Sequence, residues 1–320
     1  MKHRFEYFLA LALSVVMRFL PRRAKLVWGR TAGSLVFMLD RRHRKSTISH
    51  VDLAFGSEKS DREKREIARG AYRHFGSMLF ELISLGYPSP AEMERLVELE
   101  GVERFERARA RGKGVILTTG HFGNWELHGI AHGFKLGRLN VLARIQSNRF
   151  LNQWLENVRG ISGNKVVYKE GALSELRRLL RGGETIALVI DQNVRLEDAV
   201  FIDFFGRKAA TTPVPAWFAL KTGAALVPAF CYPLPDGRYR AVYEEPIDCE
   251  PYRQMDRDMA ILKITQELTR VQETYIRAHP ECWMWMHDRF RTRPPQEARA
   301  PDAPHASDTV AVDTVAAELP

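Results

Sequence analysis

The stretch Gly120-His121-Phe122-Gly123-Asn124-Trp125-Glu126 follows a β-branched apolar run, Val115 to Thr119, that is bounded by Gly114 and Gly120. A run of this kind reads as a short buried strand, while Asn124 to Phe134 has the polar start and apolar spacing of a helix. His121 is therefore expected on a strand-to-helix turn, at the mouth of a sheet, where ligands of α/β proteins bind. Gly120 and Gly123 admit backbone angles that other residues resist. Glu126 falls in the first helical turn, where the dipole and free amides favour an ionised carboxylate. That suits a group accepting the imidazole N–H. The spacing suggests a dyad, with His121 as general base towards an attacking hydroxyl and Glu126 as its orienter. A lone His-x4-Glu also arises in purely structural settings.

The same strand-and-helix rhythm continues downstream. Asn140 to Ile145, Lys165 to Tyr168, Thr185 to Ile190 and Ala225 to Tyr232 read as strands, the last pairing with Arg238 to Tyr243 across Pro235-Asp236-Gly237. Val102 to Arg111, Asn148 to Arg159, Leu173 to Leu180, Pro213 to Thr222 and Asp256 to Ala278 read as helices. An α/β fold follows, with a central, mainly parallel or mixed sheet flanked by helices. Ser60-Asp61-Arg62-Glu63 opens an earlier helix with a capping-box pattern, and Ile67, Ala71, Phe75, Met78, Leu79 and Leu82 give it one apolar face. Asp191-Gln192-Asn193 makes a second polar site at a strand end.

The N-terminus points to a membrane. Phe5 to Leu20 is mostly apolar and flanked by Lys2, Arg4, Arg22, Arg23 and Lys25. It is shorter than the roughly 20 residues of a spanning helix and contains Glu6 and Arg18, so an interfacial or short tilted anchor fits as well as a span. A buried core helix and a signal peptide are the rival readings. The signal peptide is disfavoured because Ala10 to Ala12 lies inside the apolar run and strongly basic sequence follows. A second apolar segment, Leu26 to Leu39, ends in Asp40-Arg41-Arg42-His43-Arg44-Lys45, either a lipid-facing cluster or a solvated helix end. The 320 residues thus divide into an anchor and basic segment (1–45), a catalytic domain (46–293), and a disordered tail (294–320) rich in Pro, Ala, Asp and Thr.

Charge and motifs narrow the chemistry. With 48 Lys+Arg against 39 Asp+Glu, the formal charge of +9 draws the chain to anionic partners: phospholipid headgroups, nucleic acid or acidic proteins. Cys231, Cys249 and Cys282 are odd in number and far apart, which indicates neither a disulfide framework nor a zinc site. No Gly-x-Ser-x-Gly elbow and no Gly-rich phosphate loop occur, so direct transfer to an acceptor hydroxyl fits better than a covalent serine enzyme. His128 and His132, one helical turn apart, form a candidate metal pair with His121, but no third ligand stands out downstream. Arg144, Asn148, Arg159 and Lys165 form a further polar set, in which a cation near a strand end can stabilise an oxyanion. Trp283, Trp285 and Met286 with His287, Arg289 and Arg291 suit an interface belt, a nucleic-acid surface or a packed segment.

Together these blocks resemble the bacterial lipid A biosynthesis (lauroyl/myristoyl) acyltransferases, within the glycerolipid or lysophospholipid acyltransferase-like superfamily. His121-Phe-Gly-Asn-Trp-Glu126 resembles the family's His-x4-Asp/Glu block, and Asn148 through Arg159 to Gly163 its Asn-x-Arg-x-Gly region. Asp191-Gln192, Phe204-Phe205-Gly206, Thr211-Thr212 and Thr222-Gly223-Ala224 are similar to further blocks, and Pro280-Glu281-Cys282-Trp283-Met284-Trp285-Met286-His287 to its Pro-Glu-Gln-Trp-x-Trp-x-His ending. Cys282 stands where glutamine is usual, and His50-Val-Asp-Leu where Asn-Leu is common. The resemblance implies a glycerolipid acyltransferase-like fold with an N-terminal membrane-anchoring helix, at the cytoplasmic face of the bacterial inner membrane. It implies transfer of a fatty acyl chain from acyl carrier protein, or less often acyl-CoA, to a hydroxyl of a lipid A precursor or related glycolipid. Non-catalytic lipid binding on the same fold, or acylation of another membrane lipid, are the alternatives. His121, Glu126 and Arg159 are then the catalytic residues, with Arg159 stabilising the oxyanion, and Asn124, Arg144, Asn148, Asp191 and Gln192 bind substrate. No metal, other cofactor or nucleic acid is required; the acidic carrier and the anionic membrane surface are the partners.

Overall fold

The computed structural model describes residue 12 and residues 14–17, 19–86 and 88–295. The anchor expected over Phe5 to Leu20 and the tail expected from residue 294 therefore lie, apart from a few residues, outside the described residues. Among the described residues no helix is long and apolar enough to cross a membrane.

The main sheet has seven strands. Its parallel block comprises, in spatial order, β8 (Ala225–Pro233), β2 (Val115–Thr119), β5 (Thr185–Val189), β3 (Leu139–Ala143) and β4 (Lys165–Tyr168). β9 (Tyr239–Tyr243) turns back antiparallel on β8, as the Pro235-Asp236-Gly237 turn predicts, and β1 (Val97–Glu100) adds parallel to β9. The full order is β1-β9-β8-β2-β5-β3-β4. β1 is not expected from its alternating Val-Glu-Leu-Glu, which an edge strand tolerates because only one face meets the core. β2, wholly apolar until its last two threonines, lies between two other strands and is buried on both faces, with Ile116 turned to one side and Val115 and Leu117 to the other.

Helices cover both faces. α8 (Ala172–Arg181), α9 (Val214–Thr222) and α10 (Arg257–Ala278) pack with Ile116, Ile186 and Leu226. α5 (Val102–Ala110), α6 (Trp125–Leu136) and α7 (Arg149–Gly160) pack on the other side, with α4 (Pro90–Leu96) beside α6. Beyond the strand ends a third cluster joins α2 (Arg41–Phe55), α3 (Asp61–Leu85), the hairpin of β6 (Val200–Phe204) and β7 (Arg207–Thr211), and Trp283, Trp285 and Phe290. The hairpin turns at Phe205-Gly206, both at positive φ.

α1 (Arg22–Leu39) lies against α3 backbone to backbone. A Cβ on Gly33 would stand 2.0 Å from the Tyr72 carbonyl oxygen, and one on Gly76 2.3 Å from that of Gly29. Small residues at a helix crossing permit this approach. The opposite side of α1 leaves Val27, Trp28, Leu35, Val36, Met38 and Leu39 exposed. The basic cluster opens the next helix: Asp40 caps α2 through the His43 amide, Arg41 to Lys45 form α2's first turns, and Arg44 reaches back to the Phe37 and Met38 carbonyls at the end of α1. The 45/46 division thus falls inside α2. On α3, Leu79 is 52% exposed, whereas Tyr72, Ser77 and Glu81 take the buried side.

Candidate active site

The centre is set by sheet register. Thr119 of β2 is paired with Val189 of β5, and the Ile190 amide still donates to the Thr119 carbonyl at 3.0 Å. Two residues further along each strand stand His121 and Asp191, brought side by side. The His121 Nδ1–H donates to Asp191 Oδ1 at 2.8 Å, and the His121 amide donates to Oδ2 at 2.7 Å. The Trp283 indole N–H also donates to Oδ2, at 2.8 Å. Burial alone would raise the Asp191 pKa, but the attraction of His121 and these three donors outweigh it and hold the carboxyl down at about 2. An Asp191 ionised at neutral pH fixes the ring's tautomer, on a histidine that lines a cavity.

The turn carrying His121 is locked on every side. Gly123 has φ 57°, and a Cβ there would stand 1.6 Å from the Cys231 carbonyl oxygen. At Gly120 the reason is space: a Cβ would meet the Gln272 amide nitrogen at 2.1 Å and Asp191 Oδ2 at 2.9 Å. The Gly123 amide donates to the Cys282 carbonyl, the Met284 amide to that of His121, and the His74 ring, through Nε2, to that of Gly123 at 3.0 Å. Burial lowers the His74 pKa. Trp283 and Trp285 are 1% and 0% exposed, so the C-terminal aromatics form a packed segment.

Glu126 does not serve His121. Its two oxygens accept from Arg159 Nε at 2.9 Å and Nη2 at 2.5 Å, and Oε1 also accepts from the Trp125 indole at 3.1 Å. The cause is helical geometry: residue 126 lies on the α6 side that faces α7, which carries Arg159. Burial pulls the Arg159 pKa down, and the Glu126 pair more than reverses it. The expected dyad is thus divided into two charge pairs, with Asp191 on the imidazole and Glu126 on the guanidinium.

His121, Glu126, Arg159, Arg144 and Gln192 all line one cavity of about 680 Å³. Its lining mixes these polar groups with the apolar side chains of Leu117, Leu139, Val141, Ala187, Val189 and Val214. Asn124, Asn148 and Asp191, expected to bind substrate, do not line it. Asn124 caps α6 through the Leu127 amide, and Asn148 caps α7 through the amides of Phe150 and Leu151. Lys165, at the start of β4, is also absent from the cavity. His132 hydrogen-bonds through Nδ1 with the Tyr243 hydroxyl at 2.8 Å, and burial lowers His128 to about 4 and His132 to about 3. Among the described residues no three His, Cys, Asp or Glu side chains gather as a metal-binding group.

Sequence reasoning missed Glu81, a buried carboxylate accepting from Arg22 Nε at 2.6 Å, the Tyr239 hydroxyl at 2.6 Å and Asn124 Nδ2 at 3.3 Å. It ties α1 and β9 to the cap of the helix that carries Glu126. The signal was a charged residue on the apolar side of α3. Asp191's role had a signal too: in both strands a polar residue follows the last strand residue by two.

An imidazole oriented by a buried carboxylate thus opens, on this α/β frame, on a cavity with a guanidinium beside it, an arrangement that acyl transfer can use, and the relatives of the chain are acyl-transferring enzymes. The model of the bacterial lipid A biosynthesis acyltransferase family matches residues 1–292, and the chain belongs to that family. It is 26% identical to the lipid A biosynthesis lauroyltransferase of Escherichia coli (strain K12) over 82% of this chain and 83% of that protein. To the lipid A biosynthesis palmitoleoyltransferase of the same strain it is 22% identical, over 87% of this chain and 89% of that one. A phosphatidylinositol mannoside acyltransferase of Mycobacterium tuberculosis (strain ATCC 25618 / H37Rv) is 27% identical over 70% of each.

Proposed function

We propose that this acyltransferase moves a fatty acyl chain from a thioester carrier, acyl carrier protein or acyl-CoA, to a hydroxyl of a lipid A precursor or a related glycolipid. The observation carrying this reading is that His121, 21% exposed in its side chain, is fixed at Nδ1 by Asp191 and lines a cavity with apolar side chains enough to take hydrocarbon. In the reaction Nε2 takes the proton of the acceptor hydroxyl as its oxygen bonds to the thioester carbon. The C–O bond forms, the tetrahedral oxyanion collapses, the C–S bond breaks, and the imidazolium returns the proton to the leaving thiolate. Asp191 stabilises the imidazolium between these steps. Arg159, with Nε and Nη2 committed to Glu126, adds positive charge through its remaining amino group.

We place this work at the cytoplasmic face of the bacterial inner membrane, and two features support contact with a membrane surface. The exposed stripe of α1, Val27 to Leu39, is an apolar surface of the kind that beds into a bilayer, and Arg23, Arg30 and the Arg41–Lys45 cluster flank it with charges for anionic headgroups. The acceptor reading rests on the names of the relatives, which include glycolipids of two kinds. The test is incubation of the protein with labelled acyl carrier protein or acyl-CoA and membranes containing lipid A precursor, followed by mass spectrometry of the lipids. An added acyl mass on the glycolipid, absent with His121→Ala, is expected; lipid binding without release of free thiol overturns the reading.

A further inference from the structure

One imidazole at the cavity has no part in the mechanism above. His287, in the turn after Trp285, lines the same cavity as His121 and is partly exposed there. Its Nε2 lies 2.8 Å from the backbone nitrogen of Asn193, whose N–H has to donate. A backbone amide cannot accept, so Nε2 carries a lone pair and the ring's proton sits on Nδ1. The anchoring amide is rigid: the Asn193 side chain exchanges hydrogen bonds with Thr292, whose amide donates to Asn193 Oδ1 at 3.0 Å. The ring is therefore a donor held in one tautomer.

The groups around it keep it neutral. Burial pushes the His287 pKa down to about 4, Asp191 opposes that, and Arg289, His121 and Arg291 reinforce it. A neutral imidazole of this kind does not compete with His121 for the acceptor's proton. The site also has a use for such a donor, because Arg159 uses Nε and Nη2 on Glu126, which offsets much of its charge.

We propose that His287 is a second catalytic imidazole, donating a hydrogen bond from Nδ1 to the thioester carbonyl oxygen as that oxygen takes up negative charge. The proposal rests on the acyl-transfer reading above. His287 is thus an electrophile where His121 is a base, and the two roles follow from which nitrogen each ring has committed to the protein. His121 gives Nδ1–H to Asp191 and keeps a lone pair for substrate. His287 gives its lone pair to Asn193 and keeps an N–H.

The test compares His287→Gln with His287→Asn. Glutamine places an acceptor near the Nε2 position and satisfies the Asn193 amide but removes the Nδ1 donor; asparagine restores a donor near Nδ1. Loss of one oxyanion donor lowers kcat by roughly 10²–10³-fold. His287→Gln is expected to lose that much kcat with little change in KM or Tm, and His287→Asn to recover at least about tenfold of it. In ¹⁵N spectra of the wild-type histidines, assigned by difference from His287→Gln, the His287 ring should be a single Nδ1–H tautomer that does not titrate between about pH 5.5 and 9. A kcat within twofold of wild type in His287→Gln overturns the proposal. So do equal losses in both variants in step with Tm, or a His287 ring that titrates near its ordinary value. Wild-type protein inert towards every thioester would instead remove the acyl-transfer reading, and this proposal with it.

Discussion

The two carboxylates of the centre differ in what they hold. Asp191 is 3% exposed, sits at the end of β5, and gives both oxygens to the catalytic loop and Trp283. Glu126 is 7% exposed, sits in the first turn of α6, and gives both oxygens to Arg159. Asp191 is placed by strand register, which the sheet's hydrogen bonds enforce along its length; Glu126 is placed by the side of a helix facing its neighbour. The first arrangement orients an imidazole, the base of the proposed reaction, and the second holds a cation beside the cavity. A motif that looks like one dyad in sequence is the meeting point of two charge pairs.

The contrast between the two pairs breaks most sharply at the imidazole itself. His121→Ala is expected to lower acyl transfer by roughly 10²–10⁴-fold while Tm stays close to wild type. Next, Asp191→Asn should cost about 10²-fold or more in kcat, because the amide no longer enforces the Nδ1–H tautomer or stabilises the imidazolium. Asp191 also gives a stability signature. Its pKa is depressed on folding, so its contribution is complete above the unfolded value and is lost as pH falls from about 4 towards 2. Asp191→Asn should flatten acid melting in that window.

Glu126→Gln sharpens the contrast. It leaves Arg159 largely buried and unpaired, with an expected stability loss on the order of 3 kcal/mol and a smaller rate loss of about tenfold. A rate loss as large as that of Asp191→Asn would mean that Glu126, not Asp191, governs the imidazole. Adding Arg159→Met to Glu126→Gln should restore part of the lost stability but not the rate, as measured by denaturant melts and turnover.

A separate effect, on stability alone, is shared by two buried histidines of α6. His128 and His132 are held neutral by burial, at about 4 and about 3, so the unfolded chain binds protons first as pH falls below about 6.5. Stability should decline from pH 6.5 towards 4, each ring costing about 1.4 kcal/mol per pH unit at most. A flat profile in thermal melts would contradict their neutral burial. The smallest expected effect is on α1: Trp28→Ser should leave soluble-phase folding unchanged and weaken co-sedimentation with anionic vesicles severalfold, whereas unchanged binding would move the membrane surface elsewhere.

Much of the frame is legible because it is written in short-range chemistry. The strand Val115–Thr119 reads from sequence at its observed bounds, and the α6 start at Asn124 within one residue, since β-branched runs and capping side chains act locally. The β6–β7 hairpin is harder to read: its Phe-Phe-Gly turn looks like a motif block, not a turn, and its apolar residues find their cover in the distant Trp283, Trp285 and Phe290. Asn124 and Asn148 read as ligand contacts through their places in the blocks that resemble the family's; in the folded chain their side chains cap helix starts.

The sequence by itself determined that a histidine would stand where a buried strand ends, that a carboxylate and a guanidinium would be near it, and which family the chain resembles. Those depend on local propensity and on blocks of neighbouring residues. Only the tertiary structure decided who pairs with whom. His121 meets Asp191 across 70 positions of sequence because β2 and β5 are adjacent and in register, while Glu126, five residues from His121, is turned to Arg159. Hydrogen bonds to a charged side chain act over about 3 Å, and at that range strand order and helix facing, not distance along the chain, choose the partner.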